Sequence, residues 1–220
     1  AAGLDRVVSD FDLDGLTYYY RGLGGNDFEQ LGSSLILGCS LLTARGIPCS
    51  GEGDLKNCMA MKVMDALGAG GSYTELYAMD FEDCLILMGH DGPFHMAIAE
   101  GKPILRGLEL FHGKRGGGVS VEARVSQGPV TVLGLTQTQD GKLRWLSAEG
   151  WSVPGDILRI GNTNSRIRFT DTPDGEFDVA DWMNRWAQLG PTHHVALGVG
   201  HESARIERLA RLLHMDFESV

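Results

Sequence analysis

The chain has 220 residues, 43% of them apolar, and a formal charge of −10 with an isoelectric point near 5.1. Nucleic acid and anionic membrane surfaces repel such a surface, so neither is an expected partner, and a neutral or cationic small molecule is. No run of about 18 apolar residues and no export-type leader pattern is present, which makes the cytoplasm the expected location. The four cysteines, Cys39, Cys49, Cys58 and Cys84, form no CxxC pair and read as reduced thiols rather than a zinc knuckle or redox motif.

The chain opens on Ala1-Ala2-Gly3-Leu4-Asp5-Arg6-Val7-Val8 without an initiator Met, the pattern of a fragment that begins inside an element. Leu16 to Tyr20 reads as a strand ended by the Gly22 to Gly25 turn cluster. Apolar residues at Phe28, Leu31, Leu35, Cys39 and Leu42 fall at steps of three and four and predict a helix from Asp27 to Arg45. A second helix is expected from Asp54 to Leu67, stopped by Gly68. This alternation is an α/β rhythm that starts too late to complete a sheet, so residues 1–71 are expected to be a partial α/β central domain.

From residue 72 to 220 the pattern becomes β-rich. Apolar runs at 84–88, 104–110, 119–125, 130–135, 143–147 and 157–160 alternate with Gly, Asp and Pro, and their spacing predicts a small antiparallel β-barrel. Asp140-Gly141 between two such runs predicts a hairpin. Flanking helices are expected at Val179 to Leu189 and Glu202 to Leu213, with a strand from Thr192 to Leu197 between them. The expected fold class is a partial α/β domain followed by an α+β domain with an antiparallel β-barrel and flanking helices.

Four segments carry candidate chemistry. In Ser50-Gly51-Glu52-Gly53-Asp54, glycines flank a carboxylate ahead of a helix and let backbone approach a ligand; the plain structural alternative makes Asp54 a helix N-cap and Glu52 an ordinary loop acid. Glu75 lies between apolar neighbours in an apparent strand, where it needs a partner. His90 ends an apolar strand next to Gly89, and its alternative is a hydrogen-bonded turn histidine. His193-His194 lies in an apolar stretch, and in a strand the two rings point to opposite faces, so at most one reaches a shared pocket. His95, His112, His201 and His214 read as surface or structural, with His201 the weaker candidate among them. Two carboxylates and two imidazoles suit one divalent metal, with oxygen and nitrogen donors favouring manganese, iron, cobalt or zinc over calcium. The spacing itself matches no local metal motif.

At these segments the chain resembles the arabinose and fucose isomerase family. Gly51-Glu52-Gly53-Asp54-Leu55-Lys56 is similar to that family's first carboxylate loop, and Gly70-Gly71-Ser72-Tyr73-Thr74-Glu75 to its second. Leu85-Ile86-Leu87-Met88-Gly89-His90 is similar to the strand bearing its first histidine, and Thr192-His193-His194-Val195 to its late doublet. The resemblance starts at about Asp14 and runs through most of the chain. It departs from the family at Met88-Gly89-His90-Asp91 and in the Gly-Asn-Thr-Asn-Ser-Arg segment at 161–166. The resemblance implies the carboxy-terminal part of a longer aldose-ketose isomerase. It implies metal ligands Glu52, Glu75, His90 and His194, with Glu52 and Glu75 as the acid–base pair and Mn2+ as the cofactor. It also implies a pentose or deoxyhexose substrate and a homo-oligomer in the full-length protein, with the fragment alone inactive. Two other classes compete: a carbohydrate-binding or regulatory module that keeps the pocket without turnover, and a metal-dependent hydrolase, whose usual helical His pair is missing.

Overall fold

The computed structural model describes residues 1–19, 27, 31, 32, 34–107, 110, 111, 114, 115, 118–156, 158 and 162–220. The hairpin expected at Asp140-Gly141 joins β9 (Gly128–Gln137) to β10 (Leu143–Ser152). The pair runs in register from Leu143 opposite Gln137 to Ser152 opposite Gly128. Gly141 takes the left-handed conformation, φ 85°, that lets the chain reverse there. Strands β3 (Gly70–Asp80), β4 (Leu85–His90), β11 (Thr163–Arg168) and β12 (His194–Val199) extend this hairpin in the order β11-β4-β3-β12-β9-β10. Pairing of β10 with β11 closes the ring into a six-stranded antiparallel barrel. A short β13 (Asp216–Ser219) adds in parallel to the other half of the free side of β10.

Alternation along the strands decides what each face meets. Val130, Val132, Leu146, Ala148, Val195 and Leu197 belong to one continuous core. Their neighbours Leu133, Leu135, Trp145 and Ala196 pack with Met61 and Met64 of α3 (Leu55–Ala66) and with Ile206 and Ala210 of α5 (Ser203–Leu212). A six-stranded ring has no room for helices, so this second face is the barrel's outside. Each fully buried Met of α3 stabilises that contact by roughly 1.5–3 kcal/mol. α4 (Val179–Gln188) is capped by Asp178 and buries Trp182, which stacks on Phe169 with ring centroids 4.0 Å apart.

The fold is thus α+β, with a closed barrel and, among the described residues, five α-helices. The remaining two helices precede the barrel: α1 (Ala2–Phe11) and α2 (Ile36–Thr43). β1 (Leu16–Thr17) and β2 (Cys49–Ser50) pair in parallel with α2 between them. The boundary expected at 71/72 falls inside β3, and α3 packs across it against the barrel. Two further short pairs lie outside the barrel: β5 (Ile104–Gly107) with β8 (Val119–Glu122), and β6 (Leu110–Phe111) with β7 (Lys114–Arg115). No helix among the described residues is long and apolar enough to cross a membrane. Cys39, Cys49, Cys58 and Cys84 are all free thiols.

Several elements differ from the sequence reading. Asp27, Leu31 and Gly32 are helical as expected, but the helix is not continuous to Arg45: Ser34 closes a turn onto Leu31, its hydroxyl donating to the Leu31 carbonyl at 2.7 Å and competing with the helical ladder, and α2 begins afresh at Ile36. Leu31 is consequently exposed rather than on a buried face. Phe28, Tyr20, the Gly22 to Gly25 cluster, and positions 157, 159 and 160 of the expected strand at 157–160 lie outside the described residues, and Leu158 is not in a strand. β12 begins at His194 and not at Thr192. At the other end of α5, Leu213 is 52% exposed, not buried with Ile206 and Ala210. β11 was not expected at all, because Thr163-Asn164-Ser165-Arg166 is polar. Its side chains supply bonds that β-branched apolar residues would not. Ser165 Oγ accepts from the Val125 N–H at 3.0 Å, and the Asn164 amide bonds both backbone groups of Leu158, at 3.0 and 2.9 Å.

Candidate functional site

Glu52 sits in the connection from β2 to α3 with φ 57°, a left-handed conformation that costs a residue with a Cβ about 1–2 kcal/mol. Hydrogen bonds hold the chain there: the Gly53 N–H donates to the Tyr18 carbonyl at 2.9 Å, and the Asp54 N–H to Gly51 at 3.0 Å. Asp54 then caps α3, its Oδ1 accepting the Asn57 N–H at 2.9 Å. This loop lies over the outside of the barrel, where β3 and β12 present Glu75 and His194 as a directly opposed pair. Tyr73, two residues before Glu75, shares its face.

Gly89 brings the fourth segment in. A Cβ at that position would stand 1.8 Å from the Thr163 carbonyl oxygen, so only glycine lets β11 approach β4 this closely. Thr163 Oγ1 accepts the His90 N–H at 3.0 Å and donates to the His90 carbonyl at 2.8 Å, fixing the strand end that carries the imidazole. His90 and His194 are each 4% exposed and meet edge to face with ring centroids 5.1 Å apart, and the Tyr73 ring packs against both, its centroid 4.3 and 4.5 Å from theirs. The Tyr73 hydroxyl bonds His194 Nε2 at 2.9 Å.

One ligand atom each from Glu52, His90 and His194 fall within 4.8 Å of one another, and a second such group is formed by Glu75, His193 and His194. His194 joins the two, with Nε2 3.9 Å from both Glu52 Oε2 and Glu75 Oε2. Of the four residues singled out in the sequence, Glu52, His90 and His194 thus form one group, while Glu75 falls in the other, with His193 2.6 Å away, and meets the first through His194. The doublet does not behave as two strand residues. With β12 starting at His194, the His193 ring lies 4.5 Å from its neighbour's instead of across the sheet, and its side chain is 74% exposed.

The two buried imidazoles are held differently. His194 Nδ1 meets Asp54 Oδ2 at 3.1 Å, whereas His90 Nδ1 accepts the Gly92 N–H at 2.8 Å with Asp91 Oδ1 3.3 Å away. Burial raises the Glu75 carboxyl above its usual range; His193 and His194 oppose the shift and Glu52 and Asp91 add to it. At Asp54 burial also pushes upward, but the bonds from His194 and Asn57 outweigh it and leave the carboxyl below its ordinary value. Burial followed by the negative charge of Glu52 and Asp54 pushes the Tyr73 phenol up. Such an array of carboxylates and imidazoles offers oxygen and nitrogen donors to a cation.

Asp54's contact with His194, Tyr73's packing against both rings, and His193's reach to Glu75 carry no signal in the sequence. Asp54 was legible only as a cap. His95 is buried with Nε2 3.7 Å from Asp65, His201 bonds the Gly150 carbonyl at 3.0 Å, and His214 is exposed; none joins the cluster, and His112 lies outside the described residues. A separate cavity of about 840 Å³, lined by Glu149, Asp171, Asp178, Trp182 and His201, shares no residue with the cluster. No protein-family model and no curated protein sequence matches the chain.

Proposed function

We propose that this chain is the metal-binding, carboxy-terminal part of a divalent-metal-dependent aldose-ketose isomerase of the arabinose and fucose isomerase type. The observation that carries the reading is Glu52. A carboxylate held in a strained left-handed loop, within 4.8 Å of two buried imidazoles, is an arrangement that packing alone does not favour. In this reading the parallel β1–β2 pair around α2 belongs to a central α/β domain shared with preceding chain.

Glu52, Glu75, His90 and His194 would hold the ion, and the mixed oxygen and nitrogen donor set suits manganese. A bound divalent ion supplies positive charge that stabilises negative charge developing on the two adjacent sugar oxygens. His194 offers Nε2 while Asp54 holds Nδ1. His90 Nδ1 accepts the Gly92 N–H, so His90 would offer Nε2 only if that bond opened and the proton moved to Nδ1, beside Asp91 Oδ1 at 3.3 Å. Of the pair Glu52 and Glu75, one would take the proton from the hydroxyl-bearing carbon beside the carbonyl and return it to the former carbonyl carbon, while the other would pass the hydroxyl proton to the carbonyl oxygen. The ene-diol then forms and collapses with its protons balanced, a step worth on the order of 10²–10⁴-fold. The substrate would be an uncharged pentose or deoxyhexose, and the working protein a cytoplasmic homo-oligomer in which neighbouring subunits complete the site.

The test is incubation of the full-length protein with Mn2+ and a panel of pentoses and deoxyhexoses, followed by a ketose assay. Ketose from at least one sugar is expected. Sugar-induced thermal stabilisation with no ketose would replace this reading with a binding module.

A further inference from the structure

Neutral imidazole carries one proton, and the partner of one nitrogen decides which lone pair is left for the other. At His194 that partner is Asp54. Oδ2 of Asp54 lies 3.1 Å from Nδ1, while its Oδ1 takes the Asn57 N–H at 2.9 Å. An ionised carboxylate only accepts, so the proton belongs on Nδ1, and the Nε2 lone pair faces the Tyr73 hydroxyl and the Glu52 and Glu75 carboxylates. The N-terminus of α3 favours the negative charge this requires. At His90 a backbone N–H faces Nδ1 at 2.8 Å, with Asp91 Oδ1 3.3 Å away.

We infer that Asp54 is a positioning residue: its carboxylate fixes the His194 tautomer that presents Nε2 to the Glu52 and Glu75 carboxylates, in addition to capping α3. The role in cation binding rests on the proposed reading of Glu52, His90 and His194 as ligands; the role in setting the tautomer does not.

Asp54→Asn separates the two jobs. Asn caps a helix about as well as Asp, and its amide oxygen must stay on the Asn57 N–H to do so. That turns the NH2 toward His194, where a donor forces Nδ1 to accept and moves the proton to Nε2. The fold is kept and the lone pair is turned away.

The experiment compares the full chain with its Asp54→Asn variant in two measurements. Nitrogen NMR of the metal-free proteins reads the His194 tautomer, with Nδ1–H expected in the parent and Nε2–H in the variant. Calorimetric titration with Mn2+ reads affinity, with a loss of roughly 10–100-fold expected at an unchanged melting temperature. A variant with the parent's tautomer and affinity overturns the assignment. Asp54→Ser, which also caps but is too short to reach His194, guards against misfolding of the first variant: mixed tautomers support the inference and an unchanged Nδ1–H tautomer overturns it. A parent chain that ignores Mn2+ sinks the isomerase reading, and the tautomer comparison still decides the role of Asp54.

Discussion

Glu52 and Glu75 show how single residues here trade stability for a site. Glu52 occupies a φ of 57° that glycine adopts at no steric cost. Glu52→Gly is therefore expected to raise the thermal midpoint, by up to about 1 kcal/mol of stability, while Mn2+ affinity is lost; a lowered midpoint would show that the loop is not strained. Glu75 is a half-buried acid whose carboxyl is raised by burial. A carboxyl of that kind holds its proton more tightly in the folded chain, so its contribution to folding is complete below the unfolded value of about 4.3 and is lost as pH rises through the folded one. Glu75→Gln should consequently melt higher than the parent near neutral pH in the presence of a chelator, with the advantage closing as pH falls below that value. A gap that stays constant across the range would refute this.

At the scale of elements, the close approach of β4 and β11 depends on Gly89. Gly89→Ala puts a methyl group against the Thr163 carbonyl and is expected to cost about 3 kcal/mol, read as a lower denaturant midpoint; a tolerated Ala would mean that β11 can move aside. The same strand explains what was and was not legible in the sequence. α3, α4, α5 and the β9–β10 hairpin carry local signals, a cap at Asp54, apolar residues at helical steps, and Asp-Gly between alternating runs, and they form where those signals place them. β11 carries none, because its residues are polar and their bonds, Ser165 to Val125 40 positions away and Asn164 to the nearby Leu158 backbone, leave no pattern of apolar alternation. The start of β12 has the same origin: Thr192-His193 looks strand-like, yet pairing begins at His194, and with that shift His193 lies on the same side as His194, beside Glu75, instead of across the sheet. The candidate residues were legible from glycine-flanked acids and strand-end histidines. Their mutual distances were not, since they depend on barrel order.

The barrel as a whole is joined unevenly. β9 and β10 pair at ten positions, whereas β10 and β11 meet at two, Trp151 with Arg168 and Ser152 with Ile167, supplemented by the Val153 N–H bond to Arg166. Amides along the β10–β11 seam should exchange with solvent through openings of lower free energy than those of the β9–β10 hairpin, measured by native-state hydrogen exchange; equal protection around the ring would contradict this. The contact between Asp54 and His194 ties together residues 140 positions apart. That contact forms only once β12 lies beside β3 and brings His194 to the start of α3, so a probe of the His194 ring in a refolding time course would stay silent while local hairpins form and switch on when β12 docks.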